Sequence, residues 1–220
     1  MAKSGPTGRI RPSGASGSSA TRQSLIEAAV GTLKVEGFAG ASARSIARRA
    51  GCNQGLVFYH FGSVVNLLLA ALDAVSAERL ERYSAAVDAV GSPAELVDVA
   101  ASIFEEDLDA GHVSVLVEMI AGASSTPGLG AEVADRIAPW TEFARRSVDA
   151  ALGDSALRSL IPSADVAHAV VAMYVGLEML SHLDGDRSAA LALFDQARAL
   201  ATLVSTSPLP SGPSDRAAIQ

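Results

Sequence analysis

The chain has 220 residues, of which 49% are hydrophobic and 19% are charged, so a wholly disordered protein is excluded. Its one cysteine, Cys52, excludes a disulfide framework and a cysteine-rich zinc site. No apolar run follows the basic N-terminal residues, and the most apolar stretch, residues 166–183, contains Glu178 and two histidines. We therefore expect a cytoplasmic protein with no secretory signal and no membrane span.

The net charge of −7 is unevenly distributed along the chain. Residues 1–62 contain eight lysines and arginines and two acids, whereas the rest of the chain contains nine basic and 22 acidic residues. A basic segment attached to an acidic body indicates that the N-terminal part binds a polyanion. The alternative is chance clustering combined with a basic tail.

Hydrophobic periodicity predicts about nine helices and no strand, hence an all-α fold. The first helix is predicted from Thr21 to Glu36, because a stripe formed by every fourth residue ends there before Gly37. Two short helices follow, one over residues 42–50 and one that begins at Asn53 as its N-cap. Ser63 is predicted to cap a long helix that continues to about residue 90.

Five further helices are predicted from their caps and stripes. Ser92 and Glu95 form a capping-box pattern at the start of the fifth helix, and residues 112–121 are apolar on nearly all sides, which predicts a buried helix. A seventh helix is predicted over residues 129–152. Ser163 is predicted to cap the eighth, and residues 187–204 form the ninth.

The second and third helices are separated only by Gly51 and Cys52, a spacing typical of a helix-turn-helix. In this motif the first helix crosses the DNA backbone and the second lies in the major groove. The residues from Ser42 to Ser63, SARSIARRAGCNQGLVFYHFGS, resemble the DNA-binding signature of tetracycline-repressor-like (TetR-family) regulators. The resemblance is specific over residues 21–68, and the later helices are similar to that family in layout only.

The Gly/Ser/Pro-rich composition of the two ends predicts a flexible basic arm (1–20) and a flexible tail (205–220). Between them, the resemblance implies a three-helix DNA-binding domain (21–68) and a helical ligand-binding and dimerisation domain (69–204). It also implies that Gln54 pairs with adenine and that Leu56 contacts a thymine methyl group. Val57 and Phe61 are expected in the core, and Arg9, Arg11 and Arg22 are expected to add charge from the arm. The residues that the resemblance assigns to DNA binding are Arg44, Asn53, Gln54, Gly55, Leu56, Phe58, Tyr59, His60 and Ser63.

Two positions depart from the family's pattern. Phe58 stands where the family often has a tyrosine, so a hydroxyl that could bond a phosphate is missing. Val64 stands where a lysine is frequent, so one positive charge is missing. These departures motivate an alternative function, namely a helical small-molecule-binding protein or enzyme that has lost DNA binding.

The resemblance implies that the acidic body binds a small effector, and its apolar composition favours an apolar or amphipathic one. For each residue that we expect to line the wall of the effector cavity, packing in an ordinary hydrophobic core is the alternative. Glu178 and His182 could share a helix face, but no third metal ligand is identified, so no metal or cofactor is expected. No catalytic motif points to an enzyme. The expected wall residues are Phe104, Leu108, Met119, Trp140, Phe143 and Tyr174.

The eighth helix has two apolar stripes, and only one of them is needed to cover the core of its own chain. The first stripe contains Val166, Val170, Met173, Leu177 and Leu180, and the second contains Ala172, Val175, Met179 and Leu183. We therefore expect a homodimer through the two C-terminal helices, with a thick monomeric core as the alternative. The sequence as a whole predicts a repressor that a small molecule releases from a palindromic operator.

Overall fold

The structure, a computed structural model, describes residues 14–153 and 162–206. Residues 1–13 of the predicted arm, including Arg9 and Arg11, lie outside the described residues, as does the tail from residue 207 onward. Within the described ranges the chain forms nine helices and no strand, which confirms the all-α prediction. The helices are α1 Gly14–Gly40, α2 Ala43–Arg49, α3 Gly55–Phe61, α4 Val64–Asp88, α5 Pro93–Ala110, α6 His112–Ala123, α7 Leu129–Leu152, α8 Ser163–Asp184 and α9 Ser188–Thr206.

The helices form two compact units. The first unit comprises Met1–Val75 and Glu118–Val133, and the second comprises Ser76–Val117 and Ala134–Gln220. The helices α4, α6 and α7 each contribute residues to both units, because the chain passes from one unit to the other within them. The first unit therefore contains the helix-turn-helix together with the first part of α4 and the last part of α6.

The core of the first unit is built on the predicted stripe of α1. Leu25, Ala29 and Leu33 lie one turn apart and are at most 1% exposed. Ile46 of α2 and Val57 of α3 are fully buried, whereas Arg44 of α2 and Phe58 and Tyr59 of α3 are exposed. Burial of one apolar face on each helix positions the two helices of the turn through the hydrophobic effect.

The α1 helix begins at Gly14, earlier than the predicted Thr21, and its regular part ends at Gly37, as the sequence predicted. Gly37 has φ 69°, a left-handed conformation that favours glycine. The next residue, Phe38, donates its backbone N–H to a carboxylate oxygen of Glu118 at 2.8 Å. The ring of Phe38 lies so close to Gly122 that a Cβ atom there would be 2.5 Å from it. The break in α1 is thus held by the last part of α6.

The helix starts agree with the sequence in part. Ser42 caps α2 in a capping box with Ser45, and the Ser63 side chain accepts the N–H of Asn66 at the start of α4. Asn53 is not the N-cap of α3: its side chain accepts the N–H of Gly55, so the chain turns first and the helix begins two residues later. Ser163 is the first residue of α8 rather than its cap, because Pro162 holds that position.

The core of the second unit lies where α5 packs against α8 and α9. Phe104 of α5 is fully buried, with ring centroids 5.7 Å from Tyr174 and 5.3 Å from Phe194. The helix α6, predicted to be buried all round, is buried on one side only, since Ile120 is 43% exposed. Its high apolar content therefore does not place every face in the core.

The inward face of α8 differs from both predicted stripes. It contains Ala167, Glu178 and Ser181, which are buried, whereas Leu180 and Leu183 from the two stripes are 61% and 77% exposed. Sequence reasoning missed this face because two of its buried residues are polar. By length and composition α8 could cross a membrane. Its exposed residues include the apolar Met173, Leu180 and Leu183 and also the polar Asp165, His168 and His182, whereas Glu178 and Ser181 are buried.

Candidate functional site

The α3 helix presents its aromatic residues outward. Val57 is fully buried, which confirms its predicted place in the core, whereas Tyr59 is 77% exposed and Phe58 is 53% exposed. Leu56 and His60 are half-buried, and the His60 ring lies edge-on to Tyr59 with centroids 4.9 Å apart. Apolar exposure of this size on a short helix indicates a surface made for contact with another molecule.

Basic residues on α2 divide into two kinds. Arg48 and Arg49 each lie 3.8 Å from Glu36 of α1, so their charges have a partner within the unit. Arg44 is exposed and has no ion pair among the described residues. Its guanidinium is therefore available to a phosphate or to a base edge.

In the turn before α3, one polar side chain is hydrogen-bonded within the turn and the next one is exposed. The Asn53 carboxamide accepts the Gly55 N–H at 2.8 Å, so this side chain stabilises the turn. Gln54 is exposed and its side chain makes no cap hydrogen bond, which leaves both its donor and its acceptor free. Gly55 lies exposed at the first position of α3, where its lack of a side chain permits close approach of a backbone.

The junction between α3 and α4 offers further polar groups. Ser63 Oγ accepts the N–H of Asn66 at 3.1 Å, which leaves its own hydroxyl hydrogen to donate outward. Arg22 belongs to α1, as the predicted helix from Thr21 implies, and its guanidinium lies 5.0 Å from the centre of the Phe61 ring. This contact places the cation, which was expected to add charge to DNA binding, beside the end of α3.

The second unit contains a buried charged cluster formed by Arg79 and Tyr83 of α4, Asp107 of α5, His112 of α6 and Tyr174 of α8. Asp107 is fully buried and accepts hydrogen bonds from Arg79 through both oxygens, from Tyr83 at 2.6 Å and from Tyr174 at 2.6 Å. His112 Nδ1 lies 3.2 Å from the same carboxylate.

The charge of Asp107 is compensated within this cluster. Burial alone would raise the pKa of Asp107, but the Arg79 guanidinium and the hydrogen bonds lower that pKa below its ordinary value. The guanidinium of Arg79 also lies 4.7 Å from the centre of the Trp140 ring, a cation–π contact. The cluster is therefore an ion pair surrounded by aromatic rings.

Glu178 lies within electrostatic reach of this cluster, and one of its oxygens has no hydrogen-bond partner among the described residues. The residue is 4% exposed, and its Oε1 atom is buried and unbonded. Burial and the negative charge of Asp107 raise the pKa of Glu178 to about 8, although Arg79 acts in the opposite direction. The carboxyl group is consequently protonated in most molecules at neutral pH.

The structure brings together four of the six wall residues that the sequence proposed. Phe104 and Tyr174 are in ring contact, and Trp140 is in ring contact with Phe143 and with Tyr83 of the cluster. Leu108 is half-buried on α5, whereas Met119 is buried in the first unit. Sequence reasoning missed Arg79 and Asp107, because nothing in the local pattern distinguishes them from charges on a solvated helix face, and it considered Glu178 only as a possible metal ligand with His182.

A second concave region lies between α7 and α8. It is an open groove of about 570 Å³ lined by Ile137, Thr141 and Arg145 of α7 and by His168 of α8, among others. Arg145 is already bound to Glu142 and Asp149. His182, which the sequence paired with Glu178, is exposed while Glu178 is buried, and the described residues contain no group of three metal-ligating side chains.

Comparisons with known proteins agree with the helix-turn-helix. Residues 25–71 match the sequence model of bacterial regulatory proteins of the tetR family. No curated protein matches the chain. The fold is similar to that of a TetR-family member from Streptomyces coelicolor A3, which is 28% identical, with a TM-score of 0.63 over 86% of this chain and 99% of that one.

Two further solved structures are similar over most of their length. A TetR-family transcriptional regulator from Cytophaga hutchinsonii is 19% identical, with a TM-score of 0.70 over 84% of this chain and 95% of that one. The transcriptional regulator FadR from Bacillus subtilis, solved in complex with stearoyl-CoA, is 13% identical, with a TM-score of 0.66 over 81% and 96% of the two chains. The helix-turn-helix domain thus matches the tetR family of bacterial regulatory proteins over residues 25–71, and the described helices share the fold of solved TetR-family regulators.

Proposed function

We propose that the chain is a cytoplasmic, homodimeric repressor that binds a palindromic operator through α3 and is released from it by a small molecule bound in the second unit. The observation that carries this proposal is the surface of α2 and α3, where Arg44, Gln54 and Tyr59 are exposed and Arg44 has no ion pair among the described residues. Side chains of this kind read base edges and bind phosphates.

The proposed DNA contacts follow from the polar and apolar groups that each side chain exposes. Arg44 and Gln54 reach base edges or phosphates, and Tyr59 and Leu56 make apolar contacts in the groove. Phe58 adds apolar surface, and Ser63 donates its hydroxyl hydrogen to a phosphate. Asn53 and Gly55 shape the turn that brings α3 close to the DNA, and His60 supports Tyr59 by ring contact.

The proposed effector site lies in the second unit, where the rings of Phe104, Trp140, Phe143 and Tyr174 surround the charged cluster. The similar FadR of Bacillus subtilis, whose solved complex contains stearoyl-CoA, supports a ligand-binding role for this fold. Leu108, half-buried on α5, belongs to the proposed wall, and Met119 of the first unit acts through α6 rather than as a wall residue. No enzymatic activity is proposed.

Two helices supply the proposed connection between effector and DNA. The α4 helix begins at the turn after α3 and carries Arg79 and Tyr83 in the second unit. The α6 helix carries His112 at its start and Glu118, which holds the Phe38 backbone, in its second half. A ligand that binds one arrangement of these helices better than another changes operator affinity reciprocally.

The proposed dimer interface is the exposed apolar surface of α8 and α9. Met173, Leu180 and Leu183 of α8 and Leu193 and Leu200 of α9 are between 51% and 77% exposed. An apolar surface of this extent in a water-soluble regulator is normally buried by a partner. Two helices from each of two copies would form a four-helix interface about a two-fold axis, which matches a palindromic site.

The repressor proposal is tested by fluorescence anisotropy of labelled DNA from upstream of the chain's own gene. We expect saturable binding to a palindromic segment and weaker binding to a scrambled segment of equal length. Binding to neither segment would favour the alternative, a small-molecule-binding protein without DNA binding.

The dimer is tested by the double variant Leu180→Arg with Leu183→Arg, measured by sedimentation. Both side chains are exposed in the single chain, so the variant should fold and sediment as a monomer that binds the operator weakly. Val35→Arg is the control, because Val35 is 72% exposed on α1 and lies outside the proposed interface. A double variant that stays dimeric would contradict this interface.

A further inference from the structure

The inward face of α8 carries a carboxyl oxygen that the described residues leave unbonded. Glu178 is 4% exposed, and its Oε1 atom is buried without a hydrogen-bond partner among residues 14–153 and 162–206. Buried polar atoms without partners are rare in native proteins, and each one requires a physical reason such as a bound ion or ligand. An oxygen that is expensive to bury and is not satisfied by these residues indicates a missing partner.

The neighbouring residues cannot supply that partner. Asp107 already accepts from Arg79, Tyr83 and Tyr174, so its two oxygens are fully engaged. Arg79 uses Nε and one terminal nitrogen on Asp107 and lies over the Trp140 ring, 4.7 Å from its centre. The one guanidinium of the cluster is therefore committed to Asp107 rather than to Glu178.

The charge balance of the cluster shows which kind of partner is missing. With Glu178 ionised, the buried groups would include two carboxylates and one guanidinium, so one positive charge would be lacking. The charged cluster itself is aromatic, since the Tyr83 and Tyr174 hydroxyls bond Asp107 and Arg79 lies over the Trp140 ring. Aromatic faces attract cations and also bury the apolar body of a ligand.

We propose that Glu178 anchors the effector, and that the effector is an organic cation with an aromatic body whose charged nitrogen donates a hydrogen bond to Glu178 Oε1. This inference rests on the proposed function for the existence of an effector, and it adds the effector's chemical class and its anchoring residue. The carboxyl loses its proton to the solvent as the cation binds, so charge balances within the site.

The proposal predicts a pH dependence with a definite sign. The groups within electrostatic reach of Glu178 are Asp107 on α5, Arg79 on α4 and Tyr174 on α8, and Tyr83 on α4 and His112 on α6 contact the same Asp107 carboxylate. Burial and Asp107 raise the pKa of Glu178 to about 8. A cation that requires the carboxylate should bind more tightly as pH rises toward 8 and level off above it, by on the order of 100-fold between about pH 6 and about pH 9.

The test is isothermal titration calorimetry of the full chain with three cations and their neutral counterparts. The cations are benzamidine, 2-phenylethylammonium and 1-naphthylmethylammonium, and the neutral compounds are benzamide, 2-phenylethanol and 1-naphthylmethanol. We expect at least one cation to bind at least about tenfold more tightly than its neutral counterpart, which corresponds to one charged contact. The pH dependence of binding is measured with benzamidine, because its amidinium group stays charged over the whole pH range of the test.

The variant Glu178→Gln keeps the shape of the side chain and removes its charge, so it should lose at least about tenfold in cation affinity and all of the pH dependence. Glu106→Gln is the matched control, because Glu106 is an exposed acid on α5 whose side chain is 48% exposed. If Glu178→Gln fails to fold, titration of the wild type in buffers of different ionisation enthalpy counts the released proton, which should be close to one at neutral pH.

The proposal is overturned if no cation binds, if the neutral compounds bind equally well, or if affinity falls as pH rises, as it would for a ligand that accepts the Glu178 proton. Operator binding is measured separately. A cation that binds at Glu178 and leaves operator affinity unchanged would support the anchor and contradict the repressor proposal. If the protein binds the operator but none of the three cations, the result would support the repressor proposal and contradict the Glu178 anchor.

Discussion

In the first unit the residues proposed to bind DNA are exposed and mostly lack partners, whereas in the second unit the residues beside the proposed effector site are buried and bound to one another. Tyr59 is 77% exposed, while Asp107 is fully buried. A substitution on an exposed surface changes binding and leaves folding intact, because the side chain makes few internal contacts. A substitution in a buried charged cluster changes both, so binding of an effector there is linked to stability.

The largest difference between the two regions is expected for Arg79→Met. Methionine fills similar space but leaves the Asp107 carboxylate buried without its cation, so the free energy of unfolding should fall by about 3–5 kcal/mol. Arg82→Met, one turn away on α4, is the matched control. Arg82 pairs with Glu106 at 2.7 Å and donates to the Tyr83 hydroxyl at 3.1 Å, with its side chain about half exposed, so Arg82→Met should lower the free energy of unfolding much less than Arg79→Met.

Urea unfolding at neutral pH measures both variants. Equal and small losses would mean that Asp107 is not held as a buried ion, and the contrast between the two units would then disappear. A large loss of stability for Arg79→Met alone would strengthen the contrast between the two units.

A second test uses pH in place of truncation. The pKa of Glu178 is raised from 4.5 to about 8 in the folded chain, so its stabilising contribution is complete below pH 4.5 and is lost as pH rises through 8. Wild-type stability should therefore fall by a few kcal/mol over this range, at about 1.4 kcal/mol for each unit of pKa shift. Glu178→Gln should remove that fall, since an amide does not ionise.

Thermal unfolding between pH 5 and pH 9 follows this effect, with Glu106→Gln as the exposed control. Parallel curves for the wild type and Glu178→Gln would mean that Glu178 titrates normally. The buried cluster would then have no unpaired acid.

The first unit could be predicted from sequence because its signals are local. The stripe Leu25, Ala29 and Leu33 and the glycine at position 37 lie within one helix, and the turn around Gly51 lies within one short motif. Spacing and residue type alone were enough to place them. The error at Asn53 was also local, since its side chain supports the turn rather than the first position of the helix.

The second unit could not be predicted in the same way because its central contacts are long-range. Asp107 bonds Arg79, 28 positions earlier, and Tyr174, 67 positions later, and no local pattern encodes such pairs. The prediction for α8 assumed that apolar residues face inward. The structure has Glu178 and Ser181 on the inward face, and Glu178 lies within electrostatic reach of Asp107 and Arg79 from two other helices, which its local sequence does not encode.

Smaller effects are expected on the exposed DNA-binding surface. Arg44→Ala and Tyr59→Ala should each weaken operator binding by about tenfold to a hundredfold, which equals about 1–3 kcal/mol. Neither should change the urea midpoint, since Arg44 has no ion pair among the described residues and Tyr59 is 77% exposed. Val35→Ala, an exposed apolar residue on α1, is the control and should bind DNA normally. If the variants bind the operator as tightly as the wild type, the proposal that α3 lies in the major groove would be contradicted.

The smallest difference in stability is expected when one helix cap is removed in each unit. Ser42 accepts the Ser45 N–H at 3.1 Å, and the Ser45 side chain accepts the Ser42 N–H at 2.9 Å, so the capping box of α2 is complete. Ser92 accepts the Glu95 N–H at 3.3 Å, but the Glu95 carboxylate accepts from Gly91, so α5 has half of a box. Ser42→Ala should therefore cost about 1–2 kcal/mol and Ser92→Ala about 0.5–1 kcal/mol.

Ser102→Ala, in the exposed middle of α5, makes the control for both cap substitutions, since alanine is the better helix former and no cap is removed there. Because α2 positions the turn, Ser42→Ala should also weaken operator binding, whereas Ser92→Ala should leave it unchanged. Urea midpoints and operator anisotropy on the same preparations measure the two effects together. If Ser92→Ala weakened operator binding as much as Ser42→Ala, the first unit would not hold its DNA-binding surface through its own local contacts.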